Sequence, residues 1–350
     1  MTTKEHILAQ CARYPELEPR DLLKFLHQSV FGPGHLVKDD AGGLDFLRAE
    51  TTACRDVQDL EPLDGAFFRA HPGLLNSGLT SETLWRCFCL SSQVPAGTAA
   101  DLEARLSAAA DLAWEGKLPF SYEEFSAAVS DWRAAGFPAQ HHSGAFRAAY
   151  TPAYRVLHRD YAWMLPLLTA IDRKMAAGKP ILVALEGGSA SGKTTLGEKL
   201  RGIYDCPVLH MDDFFLQPHQ RTAHRFSIPG GNVDHERFLT EVLLPCRRGE
   251  TVHYQPWDCH TQSLCPTADI PPAPLTIVEG AYSCHPALRE HYDLTVYLSI
   301  SPALQHRRIE KRNTPEFQQR FFQTWIPLEQ GYFDAFDIPG HCDIRLEADT

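Results

Sequence analysis

One stretch, residues 181–196, constrains the fold of this chain more than any other part of its sequence. It opens with the apolar, β-branched residues typical of a buried strand, passes through a glycine turn and enters a predicted helix at Lys193. The spacing from Gly187 to Gly192, Lys193 and Thr194 fits the Walker A phosphate-binding motif. A strand, a glycine-rich loop and a helix in immediate succession predict an α/β domain.

Each residue type in this loop has a physical role. Glycine lets the backbone curl so that successive N–H groups point at phosphate oxygens, and the helix that follows adds its positive N-terminal end. Lys193 is predicted to reach the β and γ phosphates of ATP, and the Thr194 hydroxyl to ligate Mg²⁺. A chance match in a glycine turn is disfavoured by the strand before the loop and the helix-forming residues after it. The predicted nucleotide-binding residues are Gly187, Gly188, Ser189, Ala190, Ser191, Gly192, Lys193, Thr194 and Thr195.

Length and composition limit the class of protein. At 350 residues the chain is long enough for two domains, and 44% hydrophobic with 22% charged residues is ordinary for a globular protein. The formal net charge of -11 disfavours nucleic-acid and anionic-membrane partners, because phosphates repel an acidic surface. The first twenty residues lack the apolar core of a signal peptide, and no apolar run is long enough to span a bilayer. We therefore predict a cytoplasmic protein.

The two halves of the chain differ in pattern. Residues 1–175 are predicted to form a mostly α-helical domain of unknown role, and residues 176–350 an α/β domain, with the boundary at Gly178, Lys179 and Pro180. Strands alternating with helices in the second half predict a parallel sheet covered by helices on both faces. The predicted helices include Asp21–Val30, Ala99–Trp114, a helix capped by Ser121 with Glu124, and a run from Asp160 to Ala177. The predicted strands are Ile181–Leu185, Pro207–Met211, Leu275–Val278, Leu294–Ile300 and Asp343–Leu346.

Two clusters in the helical half are unusual for plain scaffolding: Phe31 to His35 (FGPGH) and His141 to Arg155 (HHSGAFRAAYTPAYR). They could meet in space as an anion or substrate site. The other interpretation is a helix terminus and an aromatic packing seam whose histidines bond to the backbone. We favour the second, because residue type alone supports the first.

The ten cysteines are scattered and lack any Cys-x-x-Cys pair, as expected for reduced thiols in a cytosolic protein. Cys259, His260 and Cys265 lie close enough in sequence for a zinc site, but a fourth ligand is not apparent. Ordinary loop residues are the favoured interpretation.

Acidic residues follow two predicted strands of the second half. Ligands of parallel sheets bind at the carboxyl ends of the strands, which is where Asp212 and Asp213 follow the second strand and Glu279 the third. A carboxylate there can accept the proton of a substrate hydroxyl, the role predicted for Asp212, or hold magnesium, the role predicted for Glu279. The alternatives are a solvated helix cap for the aspartates and a surface turn for Glu279.

The fourth predicted strand leads to a helix capped by Ser301 with Pro302 at its first position. This helix carries a basic run, His306 to Arg312, in an otherwise acidic chain. Such a run usually marks a solvated face. We interpret it as a lid that closes over the transferring phosphates and neutralises developing charge.

The second half resembles the uridine kinase and phosphoribulokinase group of P-loop kinases, in EGGSASGKTT (186–195), HMDDFF (210–215), GNVDHERF (231–238), IVEGAY (277–282) and RRIEKRN (307–313). The resemblance covers about half of the chain and implies a P-loop kinase domain at residues 176–350. It implies that Asp212 is the catalytic base, that the segment with Asp234 and His235 helps to hold the acceptor, and that lid arginines contact phosphates. Arg308 and Arg312 are the residues predicted for that last role.

One departure from this group concerns the acceptor. Uridine kinases carry a Tyr-Asp-Phe segment followed by histidine and arginine, whereas this chain has YQPWDCHTQ (254–262), in which only Tyr254 matches. Tyr254, Trp257 and Asp258, with Asp213, remain predicted acceptor-pocket residues, and a buried loop anchor is the equal alternative.

The sequence therefore predicts an ATP- and Mg²⁺-dependent kinase that phosphorylates a hydroxyl of a small metabolite, with nucleosides as the first candidates. The alternatives are a nucleotide-gated regulatory or binding protein with weak NTPase activity, and an independent activity in the helical half. A homo-oligomer is left open.

Overall fold

The computed structural model describes residues 1–34, 40–53, 60–95, 97–259 and 261–348. The chain divides into two compact units, Met1–Asp172 (unit 1) and Arg173–Thr350 (unit 2), and each is described by itself. Within the described residues, no helix is at once long and apolar enough to cross a membrane.

Helices make up most of unit 1, and local capping explains where several begin. Thr98 and Ser121 each accept a backbone N–H of the first helical turn while the acidic residue three positions later, Asp101 or Glu124, bonds back to the cap. The helices are α1 (Thr3–Arg13), α2 (Pro19–Phe31), α3 (Asp40–Ala53), α4 (Ser81–Ser91), α5 (Ala99–Trp114), α6 (Tyr122–Ala134), α7 (Gly144–Tyr150), α8 (Arg159–Ala162) and α9 (Leu165–Met175). The helical run predicted from Asp160 to Ala177 is thus two helices, α8 and α9, rather than one.

Unit 1 also contains a small antiparallel sheet that the sequence analysis did not predict. Its strands are β1 (Leu60–Pro62), β2 (Phe67–Ala70) and β3 (Arg155–His158), in the order β1-β2-β3. Strands of three or four residues are too short to show a period-two pattern, so their pairing is decided by tertiary contacts. The sheet brings residues 60–70 beside residues 155–158, far apart in sequence.

A five-stranded parallel sheet forms the centre of unit 2. Its strands are β4 (Ile181–Gly187), β5 (Val208–His210), β10 (Leu275–Glu279), β11 (Leu294–Ser299) and β12 (Ile344–Glu347). Their order across the sheet is β12-β11-β4-β10-β5. Each one coincides with a predicted strand to within two residues at either end. Every residue of β4 and β10 is buried, and because side chains alternate between the two faces, both faces of the sheet are covered there. The α/β fold class is confirmed.

Two short hairpin pairings and a set of helices complete unit 2. β6 (Val252–Tyr254) pairs with β9 (Ala268–Ile270), and β7 (Trp257–Asp258) with β8 (Ser263–Leu264). The helices are α10 (Lys193–Tyr204), α11 (Ala223–Ser227), α12 (His235–Phe238), α13 (Leu244–Arg248), α14 (Pro286–Arg289), α15 (Pro302–Arg312), α16 (Pro315–Arg320), α17 (Ile326–Phe336) and α18 (Ile338–His341), with π-helical turns at Leu239–Leu243 and Phe321–Trp325.

Candidate functional site

The loop between β4 and α10 has the backbone geometry of an anion-binding loop. Gly187 has φ +147°, and a Cβ there would lie 2.4 Å from the carbonyl oxygen of Leu298 in the neighbouring strand. Gly192, at φ +105°, is the N-cap of α10. Ala190 takes φ +62° without being glycine, so the loop holds a strained residue of its own. The loop therefore ends at the N-terminus of a twelve-residue helix, where backbone N–H groups lack helical partners.

Lys193 and Thr194, the first two residues of α10, lie beside this loop. The Lys193 ammonium donates to the carbonyl oxygen of Gly188 at 2.9 Å, and the side chain is 8% exposed. The Thr194 hydroxyl donates to Oε1 of Glu279 at 3.0 Å. Thr194 and Thr195 are both exposed, whereas Ser191 is buried.

The predicted carboxylates come together because their strands are neighbours. β10 lies between β4 and β5, and its last residue, Glu279, is in register with Leu185 on one side and His210 on the other. Asp212 and Asp213 follow β5 directly, in a 3-10 turn. Glu279, Asp212 and the Walker lysine are thus placed at the carboxyl edge of three adjacent parallel strands.

Glu279 is a buried carboxylate held ionised by its neighbours. Its Oε1 is 2.7 Å from Nδ1 of His210. Burial raises the pKa of Glu279, but the bond from His210 and the charge of Lys193 outweigh burial, so the pKa is lowered. The same hydrogen bond raises the pKa of His210. His210, one residue before the predicted site, is a member of the site that the sequence analysis did not single out.

Asp212 differs from Glu279 in that the residue as a whole is exposed. The surrounding protein atoms nevertheless desolvate its carboxylate and raise its pKa, the charge of Lys193 partly offsets this, and the charges of Glu279 and Asp213 raise the pKa further. A carboxylate of raised pKa on an exposed residue, close to a lysine, has the properties expected of a general base.

Asp213 and Tyr254 are hydrogen-bonded to each other. The Tyr254 hydroxyl donates to Oδ2 of Asp213 at 2.9 Å. The backbone oxygen of Asp213 accepts from Arg237, whose guanidinium lies 4.3 Å from the centre of the Phe214 ring. The structure therefore joins two of the residues predicted to bind the acceptor.

The other predicted acceptor residues lie in separate local contacts. Asp234 caps α12, and its Oδ2 accepts from Nε2 of Gln220 at 2.7 Å. His235 stacks on His285, with ring centres 4.0 Å apart. Asp258 accepts from the Thr261 hydroxyl within the β7–β8 hairpin. Their role in acceptor binding stays a prediction.

The two predicted lid arginines differ in what they reach. Arg308 donates to the carbonyl oxygens of Ala190 and Ser191 in the phosphate-binding loop, at 3.0 and 3.2 Å. Arg312 instead lies 5.9 Å from the ring centre of Phe321. α15 is thus fastened to the loop through Arg308, and phosphate contact by either arginine stays a prediction.

Three side chains to which the sequence analysis gave no role also hold the loop. Glu329, in α17, accepts from the backbone N–H of Ser189 at 2.8 Å and from its hydroxyl, while Gln305 donates to the Ser189 carbonyl oxygen. Behind the loop, the fully buried Glu186 accepts from the N–H groups of Gly187, Tyr282 and Cys284 and from the Tyr332 hydroxyl. Glu329 is 140 residues away from Ser189 in sequence, and no local pattern indicates such a contact.

The donor atoms beside the loop suit magnesium. Thr194 and Glu279 offer adjacent hydroxyl and carboxylate oxygens, the ligand type that Mg²⁺ prefers. In the part of the chain that the structure describes, no group of three or more His, Cys, Asp or Glu side chains could hold a metal by itself. In a Mg²⁺ site that substrate phosphates complete, the protein usually supplies only one or two oxygen ligands.

The structure also describes part of the zinc site considered from the sequence. Cys259 and Cys265 are free thiols, and His260 lies outside the described residues.

Comparison with known proteins gives structural likenesses only. No protein-family model and no curated protein sequence matches this chain. A solved structure described as a possible uridine kinase from Bacillus stearothermophilus is 19% identical, covers 52% of this chain and 99% of its own, and has a TM-score of 0.39. A structure described as a possible fructose transport system kinase from Silicibacter sp. TM1040 is 21% identical, covers 48% of this chain and 90% of its own, and has a TM-score of 0.40.

A shikimate kinase from Bacteroides thetaiotaomicron is 16% identical, covers 48% of this chain and 87% of its own, and has a TM-score of 0.27. The similar structures are thus uridine kinase-like and other P-loop kinases, each covering about half of the chain. At these identities and TM-scores, a function for this chain has to be supported by the geometry described above.

Proposed function

We propose that this chain is an ATP- and Mg²⁺-dependent phosphotransferase that phosphorylates a hydroxyl group of a small metabolite, with a nucleoside as the first candidate. The observation that supports this is the convergence of Lys193, Thr194, Glu279 and Asp212 at the carboxyl edge of β4, β10 and β5. Positioning and charge stabilisation supply nearly all of the catalysis in phosphoryl transfer, and these residues provide both.

The loop amides and Lys193 would hold the triphosphate, because the N-terminus of α10 and the ammonium both favour negative charge. Thr194 and Glu279 would hold Mg²⁺, which neutralises phosphate charge when bound. Arg308, which contacts the loop, would be the first lid cation to stabilise that charge, with Arg312 as the second candidate.

Asp212 would take the proton of the acceptor hydroxyl. Asp212 is an exposed residue at the edge of the sheet, where an acceptor can approach it, and its raised pKa makes it a better base than an ordinary aspartate. Asp213, Tyr254, Asp234, His235 and Asp258 are proposed to form the acceptor pocket.

The test is ADP release from Mg-ATP across a panel of nucleosides, sugars, vitamins and hydroxy acids. We expect release that depends on one class of acceptor. Asp212→Asn should lower the rate about 10²- to 10⁴-fold, the usual contribution of a general base, and Lys193→Ala should abolish turnover with little loss of stability.

Asp131→Asn is the matched control, since this exposed aspartate of α6 in unit 1 undergoes the same chemical change outside the unit that holds the loop, and it should leave the rate unchanged. Acceptor-independent hydrolysis that survives in Asp212→Asn would instead favour a nucleotide-gated regulatory protein. Full activity of Lys193→Ala would exclude the kinase assignment.

A further inference from the structure

Unit 1 contains a buried polar network that the kinase proposal does not use, and Arg69 is at its centre. Arg69 is 1% exposed, and its guanidinium donates to Oε1 of Glu61 at 3.0 Å and twice to Oε1 of Gln28, at 3.1 and 2.9 Å. Oε2 of Glu61 accepts from the Tyr14 hydroxyl at 2.9 Å and lies 3.2 Å from Nε2 of His71. Both oxygens of Glu61 therefore have partners.

A second buried carboxylate, Asp21, is also fully partnered. Its Oδ1 lies 2.9 Å from Nδ1 of His142 and accepts from the Ser143 N–H, and its Oδ2 accepts from the Glu18 N–H. Burial lowers the pKa of His142 and favours its neutral form. An ionised carboxylate has no proton to give, so Nδ1 of the neutral ring is the donor and its Nε2 an acceptor. The Tyr154 hydroxyl, 2.8 Å from that Nε2, therefore donates to His142.

Two hydrogen-bond donor groups of this network have fewer acceptors than they can use. The bonds from Arg69 fix Oε1 of Gln28, which orients its amide, and Nε2 then has no acceptor within the described residues although Gln28 is only 1% exposed. One helical turn earlier on the same face of α2, Lys24 is 9% exposed, and its ammonium donates to a single described acceptor, the carbonyl oxygen of Gln140 at 3.0 Å. Burial and the charge of Arg69 lower the pKa of Lys24 to about 8.

This imbalance indicates what kind of ligand would fit. A buried amide N–H without an acceptor costs free energy, and a buried ammonium with one carbonyl partner costs more. The carboxylates of Glu61 and Asp21 are already in use, so the missing groups are acceptors rather than donors. The charges of Arg69 and Arg147 lower the pKa of Lys24, and the charge of Asp21, a carboxylate already partnered, offsets them in part.

We propose that unit 1 binds a small anion through a phosphate or carboxylate group, with Lys24 and Gln28 as its ligating side chains and Arg69 as the buried cation that orients Gln28. An anionic oxygen group is acceptor-only and can satisfy both donors at once, with charge-assisted bonds.

The proposal gives a role to one of the sequence clusters. His142 and Tyr154 of the His141–Arg155 segment enter the network, and His142 also stacks on Phe146 with ring centres 4.2 Å apart. This stacking agrees with the aromatic seam favoured from the sequence, except that His142 bonds to the Asp21 carboxylate and the Tyr154 hydroxyl rather than to the backbone. His35 of the other cluster lies outside the described residues.

The experiment is calorimetric titration of the full chain with inorganic phosphate and, separately, with acetate. All proteins carry Lys193→Ala, which weakens phosphate binding at the unit 2 loop and makes the result independent of the kinase proposal. We expect Lys24→Met to weaken anion binding about tenfold or more, as for loss of a charge-assisted hydrogen bond. Gln28→Glu keeps an oxygen for Arg69 but places a carboxylate where the anion would bind, and should weaken binding at least as much.

Lys117→Met is the matched control, because Lys117 is an exposed lysine of unit 1 paired with Glu115. Lys117→Met should leave the affinity for phosphate and acetate unchanged.

Circular dichroism checks that each variant is folded. Gln28→Glu preserves the shape of the side chain and serves as the main test if Lys24→Met does not fold. Stronger binding of phosphate or of acetate identifies the ligand group. Failure of both ions to bind at millimolar concentration, or equal affinity in the parent and in Gln28→Glu, would overturn the proposal and assign the surplus donors to ordered water.

Discussion

At the scale of single residues, the ion pair between Arg69 and Glu61 has the largest expected effect on stability in unit 1. The side chains are 1% and 4% exposed and lie 3.0 Å apart. Burial raises the pKa of Glu61, but the charge of Arg69 and hydrogen bonds from His71 and Tyr14 outweigh burial and lower it to about 2. A carboxylate with a lowered folded-state pKa stabilises the fold above its unfolded-state pKa, and this stabilisation is lost as pH falls toward the folded-state value.

We predict that Glu61→Gln destabilises unit 1 by about 3 kcal/mol at pH 7, because it leaves the Arg69 charge buried without its counter-ion. The variant should also lose less stability than the parent between roughly pH 4.5 and 2, since this carboxylate no longer takes up a proton there. Urea unfolding at several pH values measures both effects. Glu103→Gln, at a surface pair with Arg133, is the control and should change little. An equal decrease in the free energy of unfolding for Glu61→Gln and Glu103→Gln would contradict the prediction.

At the scale of secondary structure elements, the phosphate-binding loop depends on its closeness to β11. Gly187 lets the chain turn at φ +147° directly against the carbonyl oxygen of Leu298, and helices α15 and α17 hold the loop from outside through Arg308 and Glu329. The loop is therefore shaped by three elements besides its own strand and helix. The geometry of the loop should therefore be sensitive to any atom added on the side that faces β11.

Gly187→Ala is expected to destabilise unit 2 by about 3 kcal/mol, from a strained φ and an overlap with the backbone of β11 that no side-chain rotation can relieve. Gly249→Ala isolates the cost of φ alone, since Gly249 has φ +68° and nothing within 4 Å of an added Cβ. Gly249→Ala should lower the free energy of unfolding by roughly 1 kcal/mol. Thermal unfolding compares the two variants, and a loss at Gly187 no greater than at Gly249 would show that β11 can move aside.

At the scale of the whole molecule, each unit has its own hydrophobic core. Buried residues from Ile7 to Val156 form one cluster, and buried residues from Leu182 to Ile338 form the other. A ligand that binds only folded unit 2 stabilises that unit by mass action. The two units should therefore respond differently to nucleotide.

We predict that Mg-ADP at about 100 times its Kd raises the midpoint of one thermal transition by about 5 to 10 °C and leaves the other unchanged. Scanning calorimetry of the full chain measures this. Glu61→Gln identifies the transition of unit 1, Gly187→Ala identifies that of unit 2, and Lys193→Ala should reduce the nucleotide effect. A single transition that shifts as a whole would contradict the prediction by showing that the units unfold together.

Local sequence was enough for the features that depend on neighbours in the chain. The Walker loop, the five strands of the parallel sheet, the capping box at Ser121 and the strand-end positions of Asp212 and Glu279 all follow from local spacing, because strand propensity, helix caps and turn chemistry act over a few residues.

Contacts between residues far apart in sequence were settled by the tertiary fold. The order of the strands placed Glu279 beside His210 and Thr194, α17 brought Glu329 to Ser189, and the packing of unit 1 brought Gln28 of α2 to Arg69 of β2. These contacts are set by which buried groups can satisfy one another's charge and hydrogen bonds. That condition applies to the folded core as a whole, and no local pattern in the chain carries it.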